Sequence, residues 1–361
     1  MKLMVIAYRC EQNPLLLPGD VIPSQDNFKV EGVFNCGVAK YKDEIILLCR
    51  VAESIKNNNH QEVIIPIVKD VNGTEMIEPL VIKKKEHPDY DYSDSRSVWK
   101  IRENGARNIQ YLTSLSHFRI ARSKDGINFT ISENADIFPN SEESWGIEDP
   151  RITQIGDNFY ITYTAVSEYG AATGLMVTKD FYSFERKGII FAPENKDVTI
   201  FPEKINGFYY AFNRPVPKAI GNPDIWLAKS PDLLHWGGQK HFLGVTEECE
   251  WINGRIGGGA VPIKTEKGWL VIYHAADKEN RYCLGAMLCD SKDPSILIAN
   301  SKHPIMEPEA IYEKEGFFGN VVFTCGVLLE EDKLIIYYGA ADDKICRADI
   351  LLSDVFKELG V

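Results

Sequence analysis

Apolar and polar positions alternate with a period of two along most of the chain, and the alternating segments come in pairs joined by short turns. Such alternation predicts β-strands with one buried face. The pairs run from Phe34 (FNCGVAKYKDEIILLCRVAES), Asp149 (DPRITQIGDNFYITYTAVS), Phe201 (FPEKINGFYYAFNRP), Gly257 (GGGAVPIKTEKGWLVIYHAAD) and Phe323 (FTCGVLLEEDKLIIYYGAAD). The turns are Lys42-Asp43, Gly156-Asp157, Asn206-Gly207, Glu266-Lys267-Gly268 and Glu331-Asp332, which is hairpin chemistry. A third strand follows each pair and ends in a polar turn: FRIARSKDGINF from Phe118, GLMVTKDFYSF from Gly174, DIWLAKSPDLLHW from Asp224, CLGAMLCDSKDP from Cys283 and CRADILLSDVF from Cys346.

Successive third strands are spaced by roughly 50 to 65 residues, a period that belongs to propellers and arrays. Helical periodicity is weak, apart from a short segment at Ser353 to Leu359. The chain is therefore expected to be all-β, a five-bladed β-propeller with a central active-site funnel, and residues 1–361 to form a single domain. A pair of β-sandwiches is the competing reading of the same strands. The first unit carries an insertion at about 57–107, rich in Lys, Asp and Tyr, expected as an extra hairpin or a lid. Asn13 to Val21, with Pro14, Pro18 and Gly19, reads as irregular.

Composition narrows the class. With 44% hydrophobic and 25% charged residues in 361, the chain has ample core for a soluble globular protein. A formal net charge of −12 argues against nucleic acid and anionic membranes as partners. No apolar run is long enough to span a bilayer, and Met1 to Cys10 is too soon interrupted for a secretory signal. The eight cysteines lack CxxC or zinc-ligand spacing, so buried free thiols in a reducing, cytoplasmic setting are expected. The seven histidines are scattered, so no metal site and no cofactor are expected.

In a propeller the first-strand starts and second-strand ends of the units converge on one mouth. Those positions supply Asn35, Glu148-Asp149-Pro150-Arg151, Glu203-Lys204, Arg255 and Asn320 from the starts. From the ends come Arg50 with Glu53, Thr164, Asn213-Arg214, His274 with Asp277, and Asp342. Pro150 stiffens the backbone between Asp149 and Arg151, which suits an active site better than a surface turn. Arg50, Lys204, Arg214, Arg255 and His274 form a local positive cluster in an acidic chain, a good place for a small dianion. Singly, each of these has an ordinary structural reading: an ion pair for Arg50, Arg214 or Lys204, a satisfied strand-end histidine for His274, a turn aspartate for Asp149. Gly257-Gly258-Gly259 lacks the following helix and lysine of a nucleotide loop.

These motifs together resemble glycoside hydrolase family 130, the inverting mannoside phosphorylases and mannosidases. The resemblance rests on Glu148-Asp149-Pro150-Arg151, on Phe34-Asn35-Cys36-Gly37-Val38 with Leu48-Cys49-Arg50-Val51, and on Tyr111 to His117. It also rests on Phe201-Pro202-Glu203-Lys204, Asn213-Arg214-Pro215, Asp224 to Leu227, Tyr273-His274 and Tyr338 to Asp342. It spans nearly the whole chain. It implies a five-bladed propeller in which Asp149 is the catalytic acid, delivering its proton through a mannose hydroxyl. Inorganic phosphate, as co-substrate, would then attack the anomeric carbon from the opposite face and yield α-mannose 1-phosphate. By the same resemblance Arg50, Lys204, Arg255 and His274 hold phosphate. Asn35 and Asp342 bind the mannose undergoing transfer, with Arg151 as a further substrate contact and Arg214 in either group. The nearest subgroup acts on β-1,2-linked mannobiose or oligomannosides, although Asp94-Ser95-Arg96 stands where relatives often show a second Asp-Pro-Arg.

The chemistry bears on the choice without the family. An inverting glycosidase needs a second carboxylate to activate water, with Glu250 or Asp277 as candidates here. A phosphorylase needs instead a cationic cradle for an anion that is already a nucleophile. The expected activity is thus inverting phosphorolysis of β-1,2-mannosides. Phosphorolysis of β-1,4-mannosides (mannosylglucose or mannooligosaccharides), an inverting β-mannosidase and a non-catalytic glycan-binding propeller are the alternatives. Assembly into a homo-oligomer stays open.

Overall fold

The computed structural model describes residues 7–103 and 105–361. Met1 to Ile6, in the segment argued above to be no secretory signal, and Asn104 of the insertion lie outside the described residues.

Among the described residues five antiparallel units, each four strand positions deep, succeed one another along the chain; the first two are joined into one eight-stranded sheet by a parallel bridge between Ser116 and Gly146. The first comprises Phe28–Tyr41, Glu44–Ile55, Leu115–Ser123 and the short Thr130–Ile131. The second runs through Gly146–Ile155, Asn158–Ser167, Gly170–Thr178 and Glu185–Phe191. The third holds Asn195–Ile200, Tyr209–Pro215, Ile225–Ser230 and Gly237–Leu243. In the fourth, Arg255–Gly258 and Ile263–Thr265 share the place of the first strand, since Pro262 cannot donate to the ladder. Gly268–Ala276, Tyr282–Cys289 and Leu297–Asn300 complete it. The fifth has Val322–Glu330, Lys333–Ala340 and Lys344–Leu351 from one end of the chain, and takes Tyr8–Arg9 from the other, with Tyr8 opposite Asp349.

Strand ends are set by local chemistry. The turns after the third strands of units one to three repeat a Ser/Thr-x-Asp device. Ser123 Oγ accepts from Gly126 N at 2.9 Å while Asp125 Oδ1 accepts from the backbone of Ile127 and Asn128. Thr178 with Asp180, and Ser230 with Asp232, make the same bonds. These aspartates satisfy amides that a tight turn would otherwise leave bare.

Each unit packs on the next through its own apolar cluster. Leu48, Phe118 and Ile120 of unit one meet Ile161 and Met176 of unit two. Leu175 meets Ile200 and Ala211 of unit three. Phe212 and Leu227 meet Trp269 and Val271 of unit four. Ile272 and Leu284 meet Leu334 and Ile336 of unit five. Ile335, Tyr337 and Ile345 of unit five then meet Leu47, Cys49 and Val51 of unit one. The core is thus divided among five interfaces that return to the start.

Three expectations need adjusting. The first strand of unit three lies before Phe201 and not from it onward; Phe201 to Phe208 form the connection, where Pro202 ends the ladder. The insertion folds as a hairpin, Glu62–Val71 with Thr74–Lys83, and a three-stranded sheet, Tyr90–Asp91, Ser97–Ile101 and Arg107–Leu112, so it reaches past residue 107. The C-terminal helix spans Leu352–Leu359. Among the described residues no helix is long and apolar enough to cross a membrane.

Candidate functional site

In units one, two and three the first strand breaks its ladder at the same relative place. Pairing skips from Phe34 to Gly37, from Glu148 to Arg151 and from Lys196 to Thr199. The first skipped residue is left-handed each time: Asn35 with φ 47°, Asp149 with φ 51° and Asp197 with φ 57°. Asn and Asp tolerate that conformation better than other side-chain-bearing residues, which explains their presence here. Pro150 therefore occupies a bulge inside a strand rather than its start, and its missing N–H costs no ladder bond.

The first two bulges bring their polar side chains together, and the third sets Asp197 at the centre of a neighbouring cluster. Asn35 Nδ2 donates to Asp149 Oδ1 at 3.0 Å, and Arg50 Nη1 donates to the same oxygen at 3.1 Å. Arg50 Nη2 reaches Glu148 Oε1 at 2.8 Å, and its Nε donates to Ser116 Oγ at 3.0 Å. Gly146 makes this possible: at φ 115° it lies so close to Ser116 that a Cβ would stand 2.7 Å from the Ser116 amide. Lys196 Nζ binds the other Glu148 oxygen at 3.2 Å. Burial alone would push the Glu148 carboxyl up, but Arg50 and Lys196 outweigh it and hold it below the usual range.

A second cluster centres on Asp197. Its Oδ1 accepts from Arg151 Nη2 at 3.0 Å, and its Oδ2 faces Arg214 Nε at 2.6 Å and His274 Nε2 at 3.1 Å. Against the cost of burial, Arg214, His274 and Arg151 hold this carboxyl well below its ordinary value. Burial lowers the His274 pKa despite the neighbouring carboxylate. Gly257 sits directly opposite His274, and any Cβ there would collide with Asp197 Oδ2 at 2.3 Å. Its neighbour Lys196 pairs across the strands with Arg214, which links the two clusters.

The expected residues distribute as follows. Asn35, Arg50 and Asp149 meet in the first cluster; Arg151, Arg214 and His274 meet in the second. Asp342 stands beside the first: burial pushes its carboxyl up to about 7, opposed by Arg50 and Arg96 and reinforced by Asp149 and Glu148. Arg255 lies over the Tyr282 ring at 5.2 Å, with its fork on Asn280, and Tyr282 in turn neighbours His274 with ring centroids 6.0 Å apart. Two assignments change. Lys204 is exposed in the connection of unit three, its ammonium over Tyr209 at 4.9 Å; the lysine in the cluster is Lys196. Arg151, expected to touch substrate, is 1% exposed and spends its guanidinium on Asp197, on the Gly258 and Gly259 carbonyls and on its own Asp149 carbonyl. It ties the Asp149 backbone to units three and four. Of the carboxylates considered for activating water, Glu250 is exposed and Asp277 caps the turn to Glu279 and Arg281.

Lys196, Asp197, Ser116 and Tyr282 were not among the expected residues. A signal for Asp197 exists: Asn35-Cys36, Asp149-Pro150 and Asp197-Val198 are each a left-handed-tolerant polar residue followed by an apolar one at the same point of a unit.

With this geometry in hand, the sequence profile of a family described as beta-1,4-mannooligosaccharide phosphorylase matches residues 109–359. The chain belongs to glycoside hydrolase family 130. Within the family it is 49% identical to a beta-1,2-mannobiose phosphorylase of Listeria innocua, over 98% of each chain. A 1,2-beta-oligomannan phosphorylase of Thermoanaerobacter is 41% identical over 69% of this chain and 83% of its own. The solved Listeria innocua enzyme in complex with beta-1,2-mannobiose superposes with a TM-score of 0.94, at 48% identity and covering 98% of this chain and 99% of that one.

Proposed function

We propose that the protein is an inverting β-1,2-mannoside phosphorylase that transfers the terminal mannose of mannobiose or an oligomannoside to inorganic phosphate. The observation that carries this reading is the charge state of the site. Glu148 and Asp197 are both consumed by cations, so neither is free to activate water. With Asp149 protonated as the donor, Arg50, Lys196, Arg151 and Arg214 outnumber Glu148 and Asp197, Arg255 adds a further cation, and Asp342, with its carboxyl near 7, offsets at most one of them. Such an excess suits an incoming phosphate, which needs positioning and neutralisation but no base.

In this reading Asp149 is the proton donor, through a mannose hydroxyl, and Asn35 and Asp342 hold the mannose. Phosphate lies among Arg50, Lys196, Arg214, Arg255 and His274 and attacks the anomeric carbon from the far face, giving α-mannose 1-phosphate. The five units form a single five-bladed β-propeller with the site in its central funnel, a reading supported by the cycle of five apolar interfaces and the shared bulges. A cytoplasmic location is supported by eight free cysteines.

The decisive assay is mannobiose with and without phosphate. Mannose 1-phosphate formed only when phosphate is present supports the proposal. Equal release of free mannose without phosphate overturns it in favour of an inverting β-mannosidase. One observation keeps that second reading in play: Asp342, with its carboxyl near 7, has the acidity of a general base.

A further inference from the structure

The two carboxyl oxygens of Asp149 are not equivalent. Oδ1 accepts from Asn35 Nδ2 at 3.0 Å and from Arg50 Nη1 at 3.1 Å. Oδ2 takes no hydrogen bond from the described residues, while the side chain keeps 11% of its surface exposed. A guanidinium offers only N–H groups, so a proton on Oδ1 would point at a donor and push it away. The neutral acid therefore carries its proton on Oδ2.

Asn35 is held in place for this contact from the other side. Its side chain is buried, on the left-handed bulge of unit one, and its Oδ1 has no hydrogen-bond partner. That oxygen lies against Gly339 of unit five, where any Cβ would collide with it. An unpaired buried amide oxygen is costly, so the amide keeps this orientation against its own hydrogen bonding. Turning it over would set oxygen against oxygen at Asp149. The Asp149 main chain is fixed separately, by Arg151 on its carbonyl at 2.8 Å. Side chain and backbone of the acid are thus held by different neighbours.

We propose that Asn35 is a positioning residue for the proton donor: with Arg50 it holds Oδ1 and confines the transferable proton of Asp149 to Oδ2. The inference rests on the phosphorylase reading. As the bond between the anomeric carbon and the leaving oxygen breaks, its electron pair stays on that oxygen. The Oδ2 proton passes to the mannose hydroxyl, whose own proton goes to the leaving oxygen, and phosphate forms the new bond to carbon. The charge left on Asp149 is stabilised by the two donors on Oδ1.

The test uses the full chain, saturating phosphate and two substrates that carry the same mannose. β-1,2-Mannobiose needs its leaving oxygen protonated; dinitrophenyl β-mannoside releases a stable anion and does not. Asn35→Gly keeps the left-handed backbone and removes the amide. Its kcat/KM on mannobiose should fall by about 10- to 100-fold, the scale of a hydrogen bond to a charged group. Its loss on the dinitrophenyl substrate should be smaller by about tenfold. Asn35→Asp has the same shape and no N–H to give, so it should show the same split even if glycine loosens the strand. Equal losses on both substrates in the aspartate variant would mean that Asn35 serves only the shared mannose or the fold, and overturn the proposal. Wild-type rates on mannobiose in either variant overturn it too. A wild type that forms no mannose 1-phosphate from either substrate sinks the phosphorylase reading itself.

Discussion

Asp197 and Arg151 meet at 3.0 Å across two units, both almost fully buried, and through this pair the backbone of Asp149 is fastened to the cationic side of the site. The same arginine donates to the Asp149 carbonyl at 2.8 Å, so the position of the proton donor depends on a carboxylate in the next unit.

Asp197→Asn keeps the shape and removes the charge, leaving Arg151 and Arg214 without a counter-ion and His274 without its carboxylate partner. Breaking such a buried network costs about 3–5 kcal/mol, to be read from denaturant unfolding. The pH dependence has a definite sign. The folded-state pKa of Asp197 lies below its unfolded value, so its contribution is present above about pH 4 and is lost as pH falls toward the folded pKa. The acid-side slope of stability should be shallower in the variant; an unchanged slope would remove Asp197 from this role.

Asp149→Asn should cut mannose 1-phosphate formation by about 10²–10⁴-fold. Arg50 keeps Glu148 and Ser116 as partners, so circular dichroism and sugar binding should survive. Substantial activity in this variant would exclude Asp149 as the acid.

Much of this was readable beforehand. The units declare themselves because period-two alternation, hairpin turns and Ser/Thr-x-Asp turns agree at each level. Asn35, Arg50, Asp149, Arg214 and His274 could be named together because the first and second strands of the units converge, although the structure sets Asn35, Arg50 and Asp149 inside their strands rather than at the ends. Lys196 and Asp197 were missed because the segment ENKDVTI carries a two-residue bulge that disrupts the alternation. The apparent strand then starts at Phe201, and Lys204 is the first lysine it offers. Arg151 was misread for a different reason: sequence places a side chain on a strand but does not say which of several buried acceptors will claim it.

The two lysines separate cleanly by kinetics. Lys196→Gln should raise the KM for phosphate by about tenfold or more, the scale of a charge-assisted hydrogen bond, with a smaller effect on the KM for mannobiose. Lys204→Gln, exposed and resting on Tyr209, should leave both unchanged. The reverse pattern, measured at saturating sugar, would return Lys204 to the site.

Asp342 gives the last prediction. Burial raises its carboxyl to about 7, while Arg50 and Arg96 favour the charged form and Asp149 and Glu148 oppose it. Between pH 6 and 8, values bracketing that acidity, Asp342 passes from mostly protonated to mostly charged. The pH profile of kcat/KM should therefore bend near neutrality. Arg96→Gln withdraws a cation that lowers this pKa, so the bend should move to higher pH, because the carboxylate loses support while the protonated form does not. Asp342→Asn should abolish the bend. A bend that persists in Asp342→Asn belongs to another group, and one that moves to lower pH in Arg96→Gln contradicts the electrostatic link between the insertion and the mannose site.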